Sequence, residues 1–245
     1  MRCTIKYWQQ KRGKISRALI LDLSERKNKM GMDALKRFSV NNRSFFWRFV
    51  RRSKNYSICE INPKAYFRGC LVNNRGQNNR IVVEEGAKVA FSTFSLVGDN
   101  NTIFIRKNAS LNGCVFLIND HGNTIEIGKS TTITGKTEFI ATEGTRITVG
   151  ADCMFAYGIV LRTGDHHSIF NSDGQRINAS RDIILGNHVW IGQNAFLLKG
   201  VEIQSGCVVG ACSVVTKGPG IENAILAGNP AKVIKTDISW ERELI

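Results

Sequence analysis

Two of the chain's four histidines stand side by side in LRTGDHHSIFNSDGQRIN, residues 161–178, directly after Asp165. An imidazole titrates near neutrality, so such a ring can take a proton from an attacking nucleophile. A carboxylate bonded to the second ring nitrogen would fix the tautomer and stabilise the imidazolium. The blander reading is that loop histidines face solvent and a short loop aspartate holds a turn. The position of this stretch in the chain separates the two readings.

The surrounding chain repeats. Four consecutive 22-residue segments, starting at residues 75, 97, 119 and 141, align Asn79, Asn101 and Asn123, and also Ile81, Ile103, Ile125 and Ile147. Within them runs a finer period of six: 83, 89, 95; 105, 111, 117; 127, 133, 139; 149, 155, 161; then 185, 191, 197, 203, 209 and 215. Seventeen of these eighteen positions are apolar, Ser95 being the exception. Ile61, Phe67 and Asn73 extend the series weakly upstream. Hexapeptide periodicity predicts a parallel β-helix, in which each flat face sends one branched residue inward onto its counterpart in the next coil. Three faces make an 18-residue coil, and four more residues at a Gly-, Asn- and Asp-rich corner give 22. Gly128, Gly150, Gly186, Gly192 and Gly210 directly follow series residues, where side chains would obstruct a tight corner. Val149 to Leu185 spans 36 residues, one coil plus 18, and the surplus is the histidine stretch. Long loops inside compact repeats are usually functional or disordered.

The net charge of +14 suggests a nucleic-acid partner until it is mapped. Residues 1–55 hold 16 Lys and Arg against 3 acids, or +13, and the rest hold 18 against 17, or +1. The basicity therefore belongs to an N-terminal extension, and no nucleic-acid role is expected. The division expected is a basic, partly helical 1–55, a β-helix over 56–220 with its inserted loop at 162–182, and a C-terminal segment over 221–245. Seven scattered cysteines without a CxxC pair fit neither a disulfide framework nor a zinc cage, and suit a reduced compartment. No long apolar run marks a transmembrane helix, and no signal peptide is evident.

The run DIILGNHVWIGQNAFLLKGVEIQSGCVVGACSVVTKG, followed by AILAGNPAKVIK, resembles the hexapeptide-repeat acyltransferases, above all the O-acetyltransferases of bacterial capsule and surface polysaccharide. The detailed match covers about residues 147–240. The resemblance implies an all-β, left-handed parallel β-helix and a homotrimer with active sites between subunits. It implies acetyl-CoA as acyl donor, a sugar hydroxyl as acceptor, direct attack in a ternary complex and no metal. By the family's D-x-H-S/P-I segment, His167 is the general base, Asp165 its orienter, and His166 the variable middle residue. Trp190 in HVWIG corresponds to a tryptophan near acyl-CoA and acceptor, or else is a trimer-interface aromatic. Gly210, Ala211 and Thr216 line the pantetheine groove, and Lys217 and Lys232 meet the nucleotide phosphates. His188 is read as structural, and Arg176 in GQRIN as a contact to an acidic sugar.

RSFFWRFVRRSK, with aromatic residues among arginines, suits an anionic membrane surface. It would tether a cytoplasmic enzyme to the inner face of the bacterial membrane, or cap the first coil. Residues 1–30 are weakly patterned, and Met30 or Met32 is an alternative start. The rival readings are an N-acetyltransferase acting on an amino sugar or small-molecule drug, a trimeric β-helix carbonic anhydrase with three histidines on zinc, and a non-catalytic scaffold.

Overall fold

The computed structural model describes residues 56–244, so the basic extension over 1–55 lies outside the described residues. Three parallel sheets form the faces of a prism. The first runs from Cys59–Ile61 to Glu202–Ile203, the second from Tyr66–Arg68 to Val208–Val209, and the third from Leu71–Arg75 to Val214–Val215. Successive strands of the chain visit the three faces in turn, and each pairs with the strand one coil away. A hairpin of Ile225–Gly228 and Ala231–Lys235 closes the second face, and its two strands are antiparallel. All the regular elements among the described residues are strands.

The ladder registers reproduce the repeat. On the first face Cys59 pairs with Ile81, Ile81 with Ile103, Ile103 with Ile125, and Ile125 with Ile147, always at the same step. Ile147 then pairs with Ile183, across the histidine stretch, and Leu185 pairs with Ile203, a shorter step. The coils are thus of the longer kind early and the shorter kind late, with the surplus confined to one connection.

A strict period of six misplaces the third face of the early coils. There the buried residues are Val72, Phe94 and Phe116, not Asn73, Ser95 and Leu117. Phe116 pairs with Phe139, one position beyond the repeat length, and Phe139 pairs with Leu161 at the repeat length. The second and third faces of the early coils are therefore joined by a corner one position shorter, as from Leu111 to Phe116, than the corner from Ile133 to Phe139. The shift removes the Ser95 exception, since Phe94 fills that position. Phe94 stacks on Phe116 at 4.7 Å between ring centroids, and Phe116 on Phe139 at 5.1 Å. Such pairs add about 0.5–1.5 kcal/mol each beyond their buried area.

The enlarged corners carry a buried polar ladder. The side-chain oxygen of Asn79 accepts from the Asn101 amide at 2.8 Å, Asn101 does the same for Asn123 at 2.8 Å, and Asn123 for Thr145 at 3.1 Å. Each rung satisfies a backbone N–H that the corner takes out of the sheet, where an unpaired donor would be costly. Thr145 passes its hydroxyl on to Thr163 at 2.6 Å, at the neck of the histidine loop. Glycine is required where coils touch. A Cβ on Gly128 would lie 2.2 Å from the Gly150 carbonyl oxygen, and one on Gly150 2.2 Å from that of Gly186.

The shifted register has a direct check. Phe116→Ala is expected to cost about 3–5 kcal/mol in denaturant unfolding, and Leu117→Ala less than half of that; equal costs would restore the uniform period of six.

Candidate active site

The histidine loop is built as a closed excursion. Thr163 is fully buried, and its carbonyl accepts from the Arg181 amide at 2.9 Å, so the chain leaves and re-enters the solenoid at one point. Beyond this neck the chain doubles back, with Ile177 N–H donating to Ile169 O at 2.9 Å and a bridge between Phe170 and Arg176. The Asn171 side chain accepts from the amides of Asp173 and Gln175 at 3.1 and 2.8 Å and forms the tip.

Asn178 holds the base of this loop. Its amide nitrogen donates to Asp165 Oδ2 at 2.9 Å and to the His167 carbonyl at 2.7 Å, and its oxygen accepts from the Ile169 amide at 2.8 Å. Lys199, on a neighbouring coil, bonds Asp165 and the Asn178 carbonyl. Lys199 and then Asn178 hold the Asp165 carboxyl below its ordinary range. Asp165 therefore meets Lys199 and Asn178, and its link to His167 runs through Asn178 to the backbone and not to the ring.

His166 and His167 are exposed and line a cavity of about 300 Å³ together with Asp120, Glu143 and Arg176. His166 takes a left-handed backbone, φ 64°, which turns the chain between Asp165 and His167. Neither imidazole is hydrogen-bonded to another described residue. Arg176 is paired with Glu143 at 2.6 Å, and Ser180 N–H donates to the same carboxylate at 2.9 Å. Arg176, then Ser180, hold the Glu143 carboxyl down at about 2. The arginine read from sequence as a contact for an acidic sugar has its charge already matched.

The other two histidines serve the framework. His121 Nδ1 accepts from the Asp99 amide at 3.0 Å. His188 Nδ1 faces Asp152 Oδ2 at 2.7 Å and its Nε2 faces the Trp240 carbonyl at 3.0 Å. Both partners are acceptors, so the geometry suits a ring protonated on both nitrogens. Trp240 stacks on His188 at 3.9 Å, returns its indole N–H to the His188 carbonyl at 3.1 Å, and sits 5.9 Å from Trp190. Arg242 completes this clasp with bonds to Asp152, Thr132 and the Cys153 carbonyl.

The remaining residues singled out from sequence fall on other parts of the prism. Trp190 is 37% exposed on the second face. Gly210 and Ala211 turn the corner between the second and third faces, and Lys232 lies in the closing hairpin of the second. Gly210 lets that hairpin pack close, since a Cβ there would lie 3.1 Å from Ala227 Cβ. Thr216 and Lys217 follow the last strand of the third face, at the edge that carries the histidine loop. Ala211, Thr216, Lys217 and Lys232 are exposed, and neither lysine forms an ion pair among the described residues. Small residues and unmatched cations of this kind fit an extended, phosphate-bearing thioester. Two sets result: Asp165, His167, Thr216 and Lys217 at the edge between the third and first faces, and Trp190, Gly210, Ala211 and Lys232 on or beside the second face. Sequence alone gives no role to Asn178, Lys199, Glu143, Trp240 or Arg242, although Asn178 ends GQRIN and Lys199 lies within the run that carries the family resemblance.

Comparison with known proteins fits this architecture. The family described as bacterial transferase hexapeptide (six repeats) matches residues 182–217. A polysialic acid O-acetyltransferase of Escherichia coli O1:K1 / APEC is 41% identical over 95 residues, 38% of this chain and 30% of its own. The chain spans less than half the length of the first curated relatives it matches. The solved polysialic acid O-acetyltransferase OatWY is 34% identical, with a TM-score of 0.72 over 76% of this chain and 88% of that one. The polysialic acid-specific acetyltransferase NeuO gives 35% and 0.67 over the same shares. The chain belongs to the hexapeptide-repeat acyltransferases, and its fold is their left-handed parallel β-helix. Within that family it is similar to the polysialic acid O-acetyltransferases over most of the described residues.

The clasp predicts a pH window. Burial pushes His188 down, but the Trp240 carbonyl and the Asp152 carboxylate outweigh it, and its pKa is raised above 6.5. Burial pushes Asp152 up, but His188 and Arg242 outweigh it, and its pKa is lowered below 3.8. The His188 contribution is complete below 6.5 and lost as pH rises through its raised value; the Asp152 contribution is complete above 3.8 and lost as pH falls through its lowered value. Protection of residues 236–244 from hydrogen exchange, taken relative to the intrinsic amide rate at each pH, should be greatest between those limits, and His188→Ala should remove the alkaline limb. A flat profile in the unaltered protein would contradict the clasp.

Proposed function

We propose that the protein transfers an acetyl group from acetyl-CoA to a hydroxyl of a bacterial surface polysaccharide or its precursor. What supports this reading is that His167 presents to a cavity at the loop edge an imidazole with no hydrogen-bond partner among the described residues, in a chain whose relatives are named O-acetyltransferases. Acetyl-CoA supplies the acyl group as a thioester. His167 takes the proton of the acceptor hydroxyl as that oxygen attacks the thioester carbon in a ternary complex, and the proton then passes to the leaving thiolate. Asp165, kept ionised by Lys199, positions His167 through Asn178.

The two sets of residues argue for a homotrimer with its sites between subunits. The edge that carries His167 lies opposite the second face, so Trp190 of the same chain points away from it. One subunit supplies His167, Thr216 and Lys217, and its neighbour supplies Trp190 beside the thioester, Gly210 and Ala211 along the pantetheine arm, and Lys232 near the phosphates. No metal enters this chemistry. The enzyme acts in the cytoplasm at the inner face of the membrane, with residues 1–55 as the peripheral contact; among the described residues no helix is long and apolar enough to cross a membrane.

His167→Ala is expected to lower turnover about 10²- to 10⁴-fold, with the melting temperature and the KM for acetyl-CoA little changed. Unaltered turnover would end the assignment. Offering matched hydroxyl and amine acceptors tests O-transfer against N-transfer. Asn178→Ala should reduce turnover as well, because it frees both the His167 backbone and Asp165, whereas Asn171→Ala at the loop tip should not.

A further inference from the structure

The cavity that His167 lines has a charge pattern the transfer reaction does not explain. Asp120 and Glu143 both face it, against one guanidinium, that of Arg176. Arg176 is committed to Glu143 at 2.6 Å. Of the cations at the loop base, Lys199 is committed to Asp165 and is only 18% exposed, and Arg162, which also acts on Asp165, is not among the residues lining the cavity. Both Asp120 oxygens are fixed by the chain, Oδ1 accepting from Asn123 at 2.6 Å, and Oδ2 from the Thr142 hydroxyl at 2.7 Å and the Glu143 amide at 2.6 Å. The carboxylates are therefore rigid. The rest of the wall is polar, made of the two imidazoles, Thr142 and Ser180, with Asn119 and Ser168 exposed at its rim.

Such a wall treats sugars unequally. Carboxylates accept hydrogen bonds from vicinal hydroxyls, and each retains lone pairs beyond its present partners. A carboxylated ring would add its charge to a wall whose two carboxylates outnumber its one guanidinium, itself already paired with Glu143, and repulsion of this kind sets specificity as effectively as attraction. We infer that the acceptor subsite selects a sugar unit without a carboxylate, a hexose or hexosamine, and that the Glu143–Arg176 pair enforces the selection. The solved relatives are named for polysialic acid, an acidic polymer, so this chain would differ from them in acceptor charge. The inference rests on the acyl-transfer reading only for calling the cavity an acceptor subsite.

The test uses the full chain and matched oligosaccharides, a hexose oligomer and the corresponding hexuronic acid oligomer, with polysialic acid as a third ligand. Binding is followed by calorimetric titration and transfer by consumption of acetyl-CoA. The unaltered protein is expected to bind the hexose oligomer at least about tenfold more tightly than either acidic one, a difference within reach of one unmatched charge. Glu143→Gln keeps an acceptor for the Ser180 amide, removes one negative charge and frees Arg176. It should shift the preference about tenfold toward the acidic ligands, and Arg176→Gln should shift it the opposite way. Equal or tighter binding of the acidic oligomers by the unaltered protein would overturn the inference, as would an unchanged ratio in a folded Glu143→Gln. Because binding is read apart from transfer, the predicted binding pattern without any acetylation would sink the enzymatic reading and leave the charge selection standing.

Discussion

Every coil of this molecule has to return to the height of the strand it began under. The three parallel ladders enforce this, since each inward residue sits on its counterpart one coil below and each backbone amide finds its partner there. A residue too many cannot be absorbed within a face, because a one-residue slip in a strand turns its apolar set outward. Extra chain has to leave at the corners. The early coils place theirs in a corner stitched by Asn79, Asn101 and Asn123. The coil after Leu161 sends its surplus out through the neck between Thr163 and Arg181. The loop thus stands on the hydrogen-bonded solenoid, and the polar ladder runs directly into its neck through Thr145 and Thr163.

The same constraint governs the charges. A loop that leaves at an edge exposes its backbone, and this one satisfies it internally, with Asn178 as the hub and Lys199 binding it to the neighbouring coil. Glu143, one coil below, reaches up to Arg176 and Ser180. These contacts match the charges of Arg176 and Lys199, while neither imidazole is bonded to another described residue. The C-terminal tail makes a parallel arrangement on another part of the prism, where His188, Asp152 and Arg242 hold Trp240 beside Trp190. The two devices set the residues of the proposed reaction on separate surfaces of one chain.

Much of this was legible from spacing alone. The two coil lengths, the break after Leu161 and the inward Ile, Leu and Val positions follow from a period that stacking imposes. The third face of the early coils was misread because a shorter corner moves a phenylalanine where periodicity places Ser95. The partners of Asp165 and Arg176 lay beyond reach for a different reason. Lys199 and Glu143 belong to other coils, far along the chain from the residues they hold, and only the winding of the solenoid brings them alongside. Trp240 and Arg242 carry no periodic signal, since the tail has left the repeat. Residues 1–55, whose charge dominates the composition, lie outside the described residues.

The central claim is that the reaction needs His167 from one subunit and the donor surface of another, and subunit complementation tests it most directly. His167→Ala removes the base, and Ala211→Trp fills the proposed donor groove, so each variant alone should be inactive. Mixed assemblies of the two should regain acetyl transfer, because an intact His167 then meets an intact Ala211 surface across one interface. Mixed assemblies as inactive as their parents, with hybrid formation verified by mass spectrometry, would contradict the account.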